Sequence, residues 1–169
     1  GRRDFMGRYE ALFMEALKAE LGLSIQHVPY KGTQAAIPDL LTGGVQMMFA
    51  DATVAVPNIQ AGKVTPLGTS SAKPTTLVPG VPPIAATVKG FDWEAWQGIV
   101  APAATPPAIV AKLAAELQRI QSTPEFREQL RKFGMESAPP HTPAEFAAIV
   151  AAEQPRWQKA VKDSGAKVD

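Results

Sequence analysis

Apolar residues recur at helical spacing near the start of the chain, then alternate, then return to helical spacing. Within residues 5–20, Phe5, Tyr9, Leu12, Phe13, Ala16 and Leu17 share one helical face. Asp4 stands where a cap is expected and Gly22 where a stop is expected. Residues 23–28 alternate, with Leu23 and Ile25 opposite Ser24 and Gln26, which predicts a strand. A short helix follows over 34–42, closed by Gly43-Gly44, with Pro38 disturbing its first turn. The apolar run "VQMMFA" (45–50) predicts a second strand, "TVAVPNIQAG" a helix stopped by Gly62, and "VTPLGTS" (64–70) a third strand. This alternation, with connections of a few residues, predicts an α/β parallel sheet covered by helices.

From Ala72 to Gly90 the period is lost among prolines, which reads as a long ordered connection. "FDWEAWQGIVAP" (91–102) is strand-like. Three helices are then expected. The first spans 107–122, with Ile109, Val110, Leu113, Leu117 and Ile120 on one face and Thr105 as cap. The second runs from Pro124 to 133, with Thr123 as cap and Gly134 as stop. The third covers 143–163 and contains Pro155. The organisation therefore shifts near residue 90, from an α/β part at 1–90 to a strand and helical tail at 91–169.

Composition narrows the function. Apolar residues make up 46% of the 169, ample for a core, and the net charge of +1 argues against a nucleic-acid partner. The absence of cysteine removes thiolate chemistry, disulfides and most structural zinc sites. His27 and His141 lack the close spacing of a metal pair, so neither a metal nor another cofactor is expected. No apolar run is long enough to cross a membrane. The opening "GRRDFMGRYE" has no apolar stretch after its arginines and does not read as a signal peptide. No Gly-x-Ser-x-Gly elbow, Walker loop or nucleophile paired with a base occurs, so an enzyme is not expected.

Ligands of parallel sheets bind where strand ends meet helices. Tyr30-Lys31-Gly32-Thr33 and Ala50-Asp51 occupy two such junctions, and Thr69, Ser70 and Ser71 a third. Gly32 allows a positive φ and close approach of a ligand to the backbone, while the next helix start favours an anion. The alternative is that Tyr30 packs, Lys31 is solvated and Thr33 only caps the helix. Asp51 accepts from a ligand or caps the helix after it. Thr69 and Ser70 donate to a carboxylate or form a small polar turn. Trp93, Trp96 and Trp157 stack on a solute or belong to a core.

The string "HVPYKGTQAAIPDLLTGGVQMMFAD" resembles the extracytoplasmic solute receptors of tripartite tricarboxylate transporters, the Bug family. The likeness continues through "AGKVTPLGTSSAKP", "WQGIVAPAATPPAIVAKL" and "TPEFREQLRKFGMES" to "TPAEFAAIVAAEQPRWQKAVKDSG", and so covers nearly the whole chain. At 50–51 the sequence departs from the family, because many relatives carry an Asp-Asn pair where Ala50-Asp51 stands. The resemblance implies a two-lobed, periplasmic-binding-protein-like fold, of which this chain matches the C-terminal half. Residues 1–90 would be the second lobe without its first strand, and 91–169 the C-terminal part of an incomplete first lobe. It further implies a periplasmic protein that holds a small carboxylated solute between the lobes and works with membrane transporter subunits. The candidate ligand residues, drawn from the strand ends and from the resemblance together, are Tyr30, Lys31, Gly32, Thr33, Ala50, Asp51, Thr69, Ser70 and Trp96. A split or truncated assembly fragment that binds no solute alone is the other expectation. Its exposed tail would then be covered by a homodimer partner or by a separate first lobe.

Overall fold

The computed structural model describes residues 8–163. Its regular elements are helices: α1 (Arg8–Leu21), α2 (Thr33–Thr42), α3 (Ala52–Gln60), α4 (Pro107–Gln121), α5 (Pro124–Lys132) and α6 (Pro143–Asp163), with a 3-10 turn at Ile84–Ala86. The expected positions of Asp4 and Phe5 in the first helix lie outside the described residues. Several helix ends have a local cause. Gly43 takes φ 82° after α2 and its N–H returns to the Leu40 carbonyl, the left-handed stop a glycine permits. Thr123 caps α5, its hydroxyl accepting from Phe126 N–H at 3.3 Å, with Pro124 in the first position. Thr142 and Glu145 form a reciprocal cap at α6: Thr142 N–H donates to Glu145 Oε2 at 2.7 Å, and Glu145 N–H donates back to Thr142 Oγ1 at 3.2 Å. Thr105 does not cap α4, contrary to expectation; Pro106 holds that place. Two of the three donors a Thr105 cap would face belong to Pro106 and Pro107, which have no N–H.

The core gathers on α1. Leu12, Phe13 and Leu17 are buried there, with Ala36 and Ile37 of α2 and with Phe91, the most enclosed side chain. The Phe13 ring meets Phe49 edge-on at 5.7 Å, and lies 6.0 Å from both Trp93 and Trp157 of α6. Trp93 and Trp157 therefore pack, as the core alternative held. The tail is tied back to the first part of the chain. Trp93 N–H donates to the Ser70 carbonyl at 2.9 Å, and Ala72 N–H to Asp92 Oδ1 at 2.8 Å. Glu136 accepts from the Thr75 hydroxyl and the Thr76 N–H, each at 2.8 Å.

The expected parallel sheet is not laid down. Among the described residues there is no strand, and the one bridge is isolated, a parallel pairing of Thr69 with Pro83. Segments 23–28, 45–50 and 91–102 join no ladder, and 64–70 contributes only that bridge. Several of their apolar residues stand open, Leu67 at 73%, Ile99 at 72% and Val100 at 85% exposure, whereas Phe91 is buried. Alternation fixes which side chains want burial, whereas a ladder needs a second backbone alongside. The chain exposes 12107 Å² of surface. A compact monomer of 18.0 kDa exposes about 8,000 Å². Leu67, Ile99 and Val100 of the unpaired segments contribute to the extra surface.

Candidate functional site

Two helix starts meet beside α1. At α2, Gly32 takes the cap position with φ 122°, a conformation open to glycine, and no side chain caps the helix. At α3, Asp51 takes the cap position, and its carbonyl accepts from Val54 and Ala55 N–H at 3.0 and 2.8 Å. Its carboxylate makes no cap bond. Among the described residues the N–H groups of Thr33, Gln34, Ala52 and Thr53 reach no acceptor. They are the unpaired donors that give a helix start its affinity for anions.

The Asp51 carboxylate turns to α1 and α2 instead. It accepts from the Tyr9 hydroxyl through Oδ1 and lies 3.3 Å from the Thr33 hydroxyl through Oδ2. Thr33 Oγ1 is also 2.7 Å from Glu10 Oε1. Thr33 is buried in the first turn of α2, so its side chain links two carboxylates and does not cap its own helix. Burial pushes the Tyr9 hydroxyl well above its ordinary range, helped by its bond to Asp51 and by the charges of Glu10 and Asp51. Burial is also the main cause that raises the Glu10 carboxyl; the Thr33 bond opposes it and the Asp51 charge adds to it. Tyr9 and Glu10 were not singled out as site residues from the sequence. The signal was a glutamate at a helical position next to the apolar face, inside a turn of Leu12 and Phe13.

The remaining candidates are dispersed. Tyr30 donates to Asp39 Oδ2 of α2 at 2.6 Å, and Lys31 is exposed. Thr69 is held by its bridge, exchanging backbone bonds with Pro82 and Ile84, and its hydroxyl is buried without a partner. The Ser70 carbonyl is taken by Trp93. Trp96 donates from Nε1 to Glu153 Oε2 of α6 at 2.6 Å and meets Phe146 edge-on at 5.2 Å. Tyr30, Lys31, Ala50, Asp51, Thr69, Ser70 and Trp96 do line one open groove of about 3180 Å³. That is several times the roughly 300–1,000 Å³ of a small-ligand pocket. The groove is the space between unpaired segments, so sharing it does not make these residues one site. Gly32, Thr33 and Asp51 are the candidates that the geometry joins, together with Tyr9 and Glu10. No group of three or more His, Asp or Glu with metal-holding geometry occurs among the described residues.

The profile of the family described as "Tripartite tricarboxylate transporter family receptor" matches residues 6–166. A UPF0065 protein of a Pseudomonas species is 35% identical over 147 residues, covering 86% of this chain and 44% of the relative. An R. palustris protein solved with adipate superimposes with a TM-score of 0.75 at 31% identity, over 91% of this chain and 52% of that one. The periplasmic binding protein BugD gives a TM-score of 0.72 at 32% identity, over 92% of this chain and 53% of that one. The chain thus spans about half the length of these three relatives. The likeness to BugD is consistent with a periplasmic-binding-protein fold, although no strand is formed among the described residues. With the match running through every described residue, the chain belongs to the tripartite tricarboxylate transporter receptor family, a family of solute receptors and not of enzymes.

Proposed function

We propose that the chain forms the C-terminal part of an extracytoplasmic, periplasmic solute receptor, and that it takes a small carboxylate-type solute for the membrane subunits of a tripartite tricarboxylate transporter. In this reading residues 1–90 belong to the second lobe and 91–169 to the C-terminal part of the first. The solute is held at Gly32-Thr33 and Ala50-Asp51, with Tyr30, Lys31, Thr69, Ser70 and Trp96 brought to it by closure of the lobes. The observation that carries the reading is the pair of uncapped helix starts at Gly32 and Asp51. Their four unpaired N–H groups, of which that of Thr53 is crowded by Gly134, offer an anion what a carboxylate seeks. The adipate found with the R. palustris relative supports the choice of solute class. Calorimetric titration of the chain with adipate tests it. Saturable heat that disappears in a folded Gly32→Val variant supports it, and heat unchanged by that variant refutes the site.

A second reading has its own observation. The large exposed surface, with Ile99 and Val100 open in an unpaired segment, favours a chain that docks onto a complementary polypeptide before it binds solute. The partner is a second copy, through the tail, or a separate first lobe. Light scattering separates the readings: a monodisperse, cooperatively melting monomer that binds adipate excludes docking as a requirement.

A further inference from the structure

The hydrogen atoms in the Tyr9–Glu10–Thr33–Asp51 cluster do not suffice if both carboxylates are ionised. Asp51 Oδ1 is served by Tyr9. The Thr33 hydroxyl has one hydrogen, yet Glu10 Oε1 lies 2.7 Å from it and Asp51 Oδ2 3.3 Å. Glu10 is only 9% exposed, and its Oε2 is closed off with no partner at all. An ionised glutamate there would keep one buried oxygen wholly unsatisfied, beside a second negative charge. Among the described residues no Lys, Arg or His pairs with either carboxylate. The titratable groups that meet Glu10 are Tyr9 on α1 and Asp51 at the start of α3, and α2 contributes only the Thr33 hydroxyl.

One added proton completes the set. We propose that Glu10 carries a proton on Oε1 and is the proton-binding residue of the solute site. Glu10 Oε1–H then donates to Thr33 Oγ1, Thr33 O–H donates to Asp51 Oδ2, and Tyr9 O–H donates to Asp51 Oδ1. Every hydrogen has an acceptor, and the orphan Oε2 is the carbonyl oxygen of a neutral acid, far cheaper to bury than half of a carboxylate. The raised affinity of Glu10 for its proton, caused first by burial, points the same way. Loss of the proton turns the Thr33 hydroxyl to Glu10 and strips Asp51 Oδ2 of its donor. The groove wall formed by Glu10 and Asp51 then carries two negative charges in place of one. An anionic solute is favoured by the protonated cluster and repelled by the ionised one, so its binding takes up a proton. This regulation rests on the receptor reading above, whereas the proton itself does not.

The test is a pH titration of the Glu10 side-chain carboxyl carbon by ¹³C nuclear magnetic resonance on the whole chain, without solute. The signal is assigned by its absence from Glu10→Gln. The expected midpoint lies above the ordinary glutamate value of about 4.3 and moves back toward it in Asp51→Asn. Thermal melting supplies a second readout. Relative to Glu10→Gln, which mimics the neutral acid, the wild-type chain loses stability as pH rises through the raised midpoint. A Glu10 carboxyl that titrates in the ordinary range, or a midpoint that Asp51→Asn leaves in place, overturns the proposal. Because no solute is present, such a result falls on the proton and leaves the receptor reading to the adipate titration.

Discussion

Gly134 lies against the start of α3 so closely that a Cβ on it would stand 2.5 Å from the Thr53 nitrogen. Its φ of 62° is in the left-handed region as well. Replacement by alanine meets two penalties, a backbone strain of about 1 kcal/mol and a clash with main chain that cannot swing aside. Gly134→Ala should lower stability by roughly 2–3 kcal/mol. Chemical denaturation measures this. A loss below the strain figure alone would show that the tail is free to move off α3.

Glu136 joins the tail to the long connection. Burial raises its carboxyl, but the bonds from Thr76 and Thr75, with the charge of Arg131, outweigh that and hold it below the ordinary range. A depressed carboxyl contributes stability above its unfolded value of about 4.3, and the contribution fades as pH falls through the lowered value. Glu136→Gln should cost about 1 kcal/mol near neutral pH, a figure kept small because the residue is exposed. The gap between the two melting curves should close in acid. A gap that persists at low pH would assign the loss to packing.

Gly98 is pressed by a ring. A Cβ there would lie 2.3 Å from Phe146 Cζ and 2.8 Å from Cε1. Gly98→Ala should push Phe146 away, and with it the edge-on contact to Trp96. We expect a loss of about 1–3 kcal/mol and a change in near-ultraviolet circular dichroism. Restoration by Phe146→Leu in the same chain would identify the ring as the cause. If the double variant is no more stable than Gly98→Ala, the contact is not the source.

Gly32 offers the opposite case. Nothing lies within 4 Å of a Cβ placed on it, and only its φ of 122° resists substitution. Gly32→Ala should cost about 1 kcal/mol of stability through the backbone alone. Gly32→Val should weaken adipate by about tenfold or more, because the branched side chain occupies the approach to the open N–H groups. Equal affinities for both variants and the wild type would place the solute elsewhere.

Helices were legible in the sequence because their causes are local. Thr123-Pro124 before α5 and Thr142 three residues ahead of Glu145 specify their own starts. The apolar face of α1 was equally plain, since Leu12, Phe13 and Leu17 repeat within one element. Thr105 misled because the prolines after it remove two of the three donors it would face and Pro106 takes the cap position. The strands failed for a different reason: "VQMMFA" and "WQGIVAP" state a wish for burial without naming a neighbour. The candidate site was half legible. Gly32, Thr33 and Asp51 follow from where strands would end, but Glu10 sits in mid-helix, and only the fold brings it under the Thr33 hydroxyl. Trp96 drew notice as an aromatic, and its partner proved to be a carboxylate of α6.

Glu153 holds two indoles at once, accepting from Trp96 at 2.6 Å and from Trp157 at 3.2 Å, while Arg156 lies 4.1 Å over the ring of Trp93. The three tryptophans of the chain are thus all gathered on one turn of α6. Excited indoles respond to nearby charge and to each other, and Trp93 and Trp157 stand only 5.3 Å apart. The intrinsic fluorescence is therefore a private signal of one event, the seating of α6 on residues 93–96. A shift in emission during unfolding, assembly or solute uptake reports that event without any label.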